Sequence, residues 1–159
     1  MRVGFGWDLH RLAAGRPLIL GGMEIPFEKG CLGHSDGDVV LHAVTDAILG
    51  ASASGDIGDH FRDTDPKWKD ARSFFFVKKA LELAAEKGMK VGNIDITLIL
   101  ERPKLYDFKG EIAANVASLL GIDSSDVSFK AKTREGLGEA GRGEAVECFA
   151  VVLMEEVSK

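Results

Sequence analysis

Asp8 and His10 stand two residues apart in a segment whose side chains alternate, so both leave the same face of a strand. Asp-x-His on a strand is a two-point clamp for a divalent ion. His42, in the segment after the run His34-Ser35-Asp36-Gly37-Asp38, supplies a third donor. Two imidazoles and a carboxylate suit zinc. Three protein ligands leave a fourth position open, as at a catalytic rather than a structural site. Asp46, four residues beyond His42 on one helix face, is placed to accept its other ring N–H and fix its tautomer. The same residues also read as ordinary hydrogen-bonding groups, because Asp-x-His recurs by chance and a helical histidine commonly sits at a surface. Three of the four histidines, His10, His34 and His42, fall in one short stretch beside acidic residues and glycines, which favours the metal.

A second chemistry is the handling of phosphate. The His34–Asp38 run ends at a helix start, where unpaired N–H groups favour anions, so His34 and Ser35 are candidates to meet a phosphate. Asp36 or Asp38 equally reads as a simple N-cap. Lys130-Ala131-Lys132-Thr133-Arg134-Glu135 closes a strand and enters a glycine-rich turn, a combination of cations, hydroxyl and backbone amides that makes a phosphate cradle or a solvated strand end. Glu135 is suited to a harder cation such as Mg2+ that bridges phosphates. The aspartates of Gly55-Asp56-Ile57-Gly58 and Phe61-Arg62-Asp63-Thr64-Asp65-Pro66 read either as holders of substrate hydroxyls or as Asx-turn formers. No Walker pattern, dinucleotide fingerprint, nucleophile elbow or Cys/His nucleophile pair is present.

These groups need a frame. Residues 2–10 alternate strictly, with Val3, Phe5, Trp7 and Leu9 on one side and Gly4, Gly6, Asp8 and His10 on the other. Residues 18–27 predict two short strands around Gly21-Gly22. A helix is expected over 38–52, a loop over 54–72, and a second helix from a Ser73 cap to Gly88. Strands follow over 93–100, 126–133 and 145–155, with a third helix over 107–120 closed by Gly121. The last strand is apolar on both faces, as a central strand is. The pattern predicts an α/β fold: a mixed four- to five-stranded sheet with helices packed on one face.

Length and composition set the outer limits. The 159 residues form one continuous domain, 1–159, without repeats or linkers. A net charge of -5 argues against a general nucleic-acid binder. No apolar run is long enough for a membrane helix, and Met1 leads straight into a strand-like segment rather than a leader. Two separated cysteines, Cys31 and Cys148, suit reduced thiols in a cytoplasmic setting.

Asp8-Leu9-His10, the run from Gly33 to Asp38 leading to His42, Gly55-Asp56-Ile57-Gly58, Phe61-Arg62-Asp63-Thr64-Asp65, Pro103-Lys104 and Thr133-Arg134-Glu135 together resemble the 2-C-methyl-D-erythritol 2,4-cyclodiphosphate synthases, zinc enzymes of non-mevalonate isoprenoid synthesis. The resemblance covers essentially the whole chain. It implies a cytoplasmic homotrimer with active sites between subunits, and a cytidine diphosphate substrate whose own 2-phosphate attacks the β-phosphate to release CMP. It further implies zinc on Asp8, His10 and His42, and Mg2+ or Mn2+ between the nucleotide phosphates through Glu135. His34, Thr133 and Glu135 match the catalytic positions. Asp56, Ile57, Gly58, Phe61, Asp63 and Asp65, with Asp8, His10 and Ser35, match contacts on the methylerythritol phosphate side. Leu100, Pro103, Lys104, Leu105 and Tyr106 match the cytosine and ribose pocket, with Lys132 and Thr133 at the phosphates. Arg142 and Glu144 match residues at the end of a channel on the trimer axis, where they are expected to pair as ions. Lys132 stands where the family often has a small hydroxyl residue, and Glu139 where it commonly has an aromatic one.

Overall fold

A computed structural model describes residues 1–62 and 64–157. The alternating start of the chain is β1 (Arg2–Ala14). The hairpin strands β2 (Leu18–Leu20) and β3 (Met23–Ile25) follow, then β4 (Lys29–Cys31). The first helix, α1 (Val39–Ala51), carries an apolar sequence and is buried along most of its length. The segment expected as a loop holds α2 (Ile57–His60) and a 3-10 turn over Pro66–Trp68, started by Asp56 and Asp65 respectively. Next come α3 (Phe74–Glu86), β5 (Met89–Ile99), α4 (Lys109–Leu120), β6 (Val127–Lys132), α5 (Gly138–Gly141) and β7 (Ala145–Glu156). Gly121, in the left-handed conformation, ends α4 as its lack of a Cβ allows.

The main sheet runs β4-β1-β7-β5-β6. Only β5 and β6 are parallel; the other pairings are antiparallel. The expected mixed sheet of five strands is therefore present, and β7 is its central strand; the one-turn α5 borders the face of Leu9 and Glu147, opposite the side where α1 packs. Burial divides the two faces by register. Gly4, Gly6 and Asp8 share rows with the fully buried Val152, Ala150 and Cys148, on the side where α1 packs. Val3, Phe5, Trp7 and Leu9, paired with Leu153, Val151, Phe149 and Glu147, form the opposite face. Phe5 there is 61% exposed.

The β1–α1 contact is what positions the site. A Cβ on Gly6 would lie 1.9 Å from the Ala43 carbonyl, and one on Gly4 would lie 1.9 Å from that of Ala47. Backbone thus meets backbone, with no side chain between. His42 precedes the Ala43 contact and Asp8 follows Gly6 by two residues, so the packing brings them together. The start of α1 is fixed by Asp38, a buried cap that accepts N–H bonds from Val40 and Leu41 and also from Gly21 and Gly22 of the hairpin. Cys31 and Cys148 are free and buried. Burial pushes the Cys31 thiol up to about 12 and raises Cys148 as well, so neither is a ready nucleophile.

Candidate metal centre and nucleotide cleft

Asp8, His10 and His42 converge. Asp8 Oδ2 lies 3.0 Å from His10 Nε2 and 3.0 Å from His42 Nδ1, and the two ring nitrogens are 3.1 Å apart. Donors held about 2.0–2.2 Å from a tetrahedral zinc ion lie roughly 3.3–3.5 Å from one another, so this near-equilateral triangle has the size of three zinc ligands. The donor set and its partial burial both fit the ion.

The outer ring nitrogens settle the tautomers. His10 Nδ1 is 2.9 Å from the Leu32 carbonyl, which can only accept. Nδ1 therefore carries the proton and Nε2 turns its lone pair inward. The Ser73 hydroxyl donates to the Asp36 carboxylate, so its oxygen accepts from His42 Nε2–H at 2.9 Å. His42 Nδ1 is then the inward lone pair. Ser35 Oγ stands 3.1 Å from the same Nε2 and accepts from the Gly37 N–H. Without an ion, burial works to raise the Asp8 carboxyl, but protons on the inward nitrogens of His10 and His42 hydrogen-bond to it and their charge holds it well below the usual carboxylate range; a bound cation takes the place of those inward protons. Burial works to lower His10, and the Asp8 carboxylate overrides it and raises that imidazole.

Several expectations need correction. Asp46 does not reach His42; its carboxylate accepts the Ile57 N–H at 2.8 Å and tethers α2. Ser73 makes no side-chain cap on α3, because its hydroxyl is committed to Asp36. At the start of α1 the Asp38 carboxylate takes the Val40 and Leu41 amides, so the N-cap reading describes its observed bonds. Asp56 and Asp65 each cap a helical turn, so the Asx reading describes their observed bonds. Asp63 lies outside the described residues.

Two cavities flank this end of the sheet. One, of about 280 Å³, is lined by His10, His34, Ser35, His42, Ile57 and Phe61, together with Trp68 and Phe76. The last two escape sequence reasoning: Trp68 lies beyond the aspartates that draw attention in the 54–72 loop, and Phe76 in a helix defined only by its ends. His34 Nε2–H donates to the Asp65 carbonyl at 3.2 Å. The second cavity, of about 390 Å³, gathers Leu100, Pro103, Lys104, Leu105, Tyr106, Ala131, Lys132, Thr133 and Glu135, with Lys109 added. The Thr133 hydroxyl donates to the Glu135 carboxylate.

The cavities share one end of the sheet. Leu9, Glu147, Ile99 and Lys132 form a continuous cross-strand row, which places the strand ends bearing His10 and Thr133 roughly 14 Å apart across three strand spacings. Arg142 lines neither cavity; it pairs with Glu144 at 3.1 Å and with Glu139 at 3.5 Å, as expected for the first of these.

Residues 1–155 match the family described as YgbB. A Solibacter usitatus protein named 2-C-methyl-D-erythritol 2,4-cyclodiphosphate synthase is 51% identical over 156 residues, covering 98% of this chain and 98% of its own length. The solved structure of the bifunctional IspDF from Campylobacter jejuni matches 99% of this chain with a TM-score of 0.95 at 41% identity; the chain spans 42% of that longer protein. A CDP complex of IspF from Plasmodium falciparum matches with a TM-score of 0.87 at 38% identity, over 99% of this chain and 97% of its own.

Proposed function

The chain belongs to the YgbB family, and from that premise we propose that it converts 4-diphosphocytidyl-2-C-methyl-D-erythritol 2-phosphate into 2-C-methyl-D-erythritol 2,4-cyclodiphosphate and CMP, a lyase step of non-mevalonate isoprenoid synthesis. The observation that carries the proposal is the Asp8–His10–His42 triangle, with both imidazoles held in the metal-binding tautomer. An oxygen of the 2-phosphate forms a bond to the β-phosphorus. The bond from that phosphorus to the oxygen bridging it to the α-phosphate breaks, and CMP leaves with the electron pair. The substrate carries its own nucleophile, so the protein is left with positioning and charge stabilisation.

Asp8, His10 and His42 would hold zinc, which when bound supplies Lewis acidity toward the β-phosphate oxygens. Glu135 would hold Mg2+ or Mn2+, which neutralises charge between the two nucleotide phosphates. His34, beside the metal triangle, orients the attacking phosphate and stabilises its developing charge. Thr133 and Lys132 hold the nucleotide phosphates. Leu100, Pro103, Lys104, Leu105 and Tyr106 receive cytosine and ribose, largely through backbone groups. Ile57, Phe61 and Ser35 shape the methylerythritol pocket, with Asp56, Gly58 and Asp65 beside it; Asp63 is assigned a contact on the same side by the family match alone, and Arg142 marks the channel end. The chain acts as a single cytoplasmic catalytic domain in a homotrimer, with each active site shared by neighbouring subunits. The apolar outer face of β1 and β7 supports that assembly. No helix among the described residues is long and apolar enough to cross a membrane.

The test is incubation of the protein with the cytidylyl substrate, zinc and magnesium, with chromatographic detection of nucleotides. One CMP per substrate consumed is expected. Substrate that persists unchanged, or CDP as the product, would refute the proposal.

A further inference from the structure

We infer that Glu147 is a positioning residue for the 133–135 turn, clamping Arg134 from the far face of the sheet so that Thr133 and Glu135 stay aimed into the nucleotide cleft. This rests on the proposed role of Glu135 as the ligand of the second divalent ion.

The faces of the sheet carry the first step. Thr133 and Glu135 line the cleft with Leu105 and Tyr106. Arg134 lines a different recess, with Leu9, Leu137, Glu139 and Glu147, on the face that bears Phe5 and Trp7. There an Arg134 guanidinium nitrogen lies 2.6 Å from Glu147 Oε2. The other carboxylate oxygen accepts the Trp7 indole N–H at 3.0 Å. Glu147 is 9% exposed on a largely apolar surface, where a carboxylate is tolerated only with its oxygens bonded. Each oxygen has its donor, so the contact fixes Arg134 in one place.

What requires fixing is the next residue. Glu135 has a φ of +51°, a left-handed conformation unfavourable for any residue with a Cβ. Such conformations persist where surrounding contacts over-determine them. The contacts here are the Thr133 hydroxyl donated to the Glu135 carboxylate, the Arg134–Glu147 pair, the Arg134 N–H donated to Glu101 at 3.2 Å, and the Leu137 N–H donated to the Arg134 carbonyl at 2.9 Å. Of these only the ion pair ties the turn to β7 on the far face and, by way of Trp7, to β1, the strand that carries Asp8 and His10. Loss of the pair lets Glu135 relax toward the right-handed region and turns its carboxylate away from the phosphates.

Glu147→Gln keeps the volume and an acceptor for Trp7 but removes the charge that holds Arg134. Arg134 is half-exposed in the single chain, so the variant is expected to fold, with melting temperature, sedimentation and zinc content as controls. The measurement is calorimetric titration of CDP into the zinc-loaded protein, with and without magnesium. In Glu147→Gln the CDP affinity with magnesium should fall ~10- to 100-fold, the range for groups that orient metal ligands, while affinity without magnesium stays at the wild-type value. The magnesium concentration for half-maximal CMP release should rise by a similar factor, and Arg134→Lys should retain most of the wild-type response. An unchanged affinity, or an equal loss with and without magnesium, would overturn the inference while leaving the functional reading intact. Absence of magnesium-dependent CDP binding in the wild type would instead remove the second-ion reading, and the inference with it.

Discussion

At the scale of residues, the metal triangle depends on which nitrogen of each imidazole carries the proton. For His42 that choice runs through Ser73 to Asp36. Ser73→Ala should weaken zinc binding ~10- to 100-fold with the fold retained, measured by competition against a chromophoric chelator; an unchanged affinity would mean that Ser35 alone sets the tautomer. Asp8 and His10 were legible in the sequence because a period of two puts them on one face. Ser73 was not, since a contact across 31 positions leaves no local pattern. Asp46 was assigned to His42 for its helical spacing. Side chains on a helix lean toward its N-terminus, and the His42 ring accordingly reaches back to Ser35 and Ser73 rather than on to Asp46.

Among the elements, the bare backbone contact of β1 with α1 decides where the ligands meet. Gly6→Ala would drive a methyl group into the Ala43 carbonyl. The expected loss is about 3 kcal/mol, or roughly 6–12 °C in melting temperature for a chain of this size, with zinc affinity falling too because His42 moves with α1. Calorimetry and metal analysis would check both, and a wild-type melting temperature would show that the contact can open without cost. Long elements were legible from periodicity: β1, α1, β5 and β7 stand within a few residues of their expected limits. The three-residue β4 and four-residue α2 and α5 are too short to show a period, and two of the caps that start turns in the 54–72 segment were read only as one alternative for Asp56 and Asp65.

At the scale of the molecule, alternation told which residues of β1 share a face but not which face the helices cover. The glycine side turned out to be the packed one, because only glycine admits so close a helix. The apolar side of Val3, Phe5, Trp7 and Leu9 is left exposed, and a surface of that kind is typical of an interface. In the proposed trimer, Phe5→Arg places like charges at three equivalent positions. Sedimentation should show the wild type at three times the monomer mass and the variant mainly as monomer, with CMP release lost because the proposed sites are shared between subunits. A wild type that sediments as monomer at full activity would rule out shared sites.

If Asp8, His10 and His42 hold one Lewis-acidic ion needed for cyclisation, phosphorus NMR of the cytidylyl substrate will follow its effect at the reacting phosphates. Protein stripped of metal by a chelator should keep its circular dichroism yet leave the diphosphate and 2-phosphate resonances unchanged; added zinc, with magnesium present, should convert them to a cyclic diphosphate and CMP. His42→Ala should stay folded and inactive at the same zinc concentration. Cyclic diphosphate formed at the wild-type rate by His42→Ala or by the stripped protein would contradict the account, and a fold that collapses on chelation would assign the ion to structure instead.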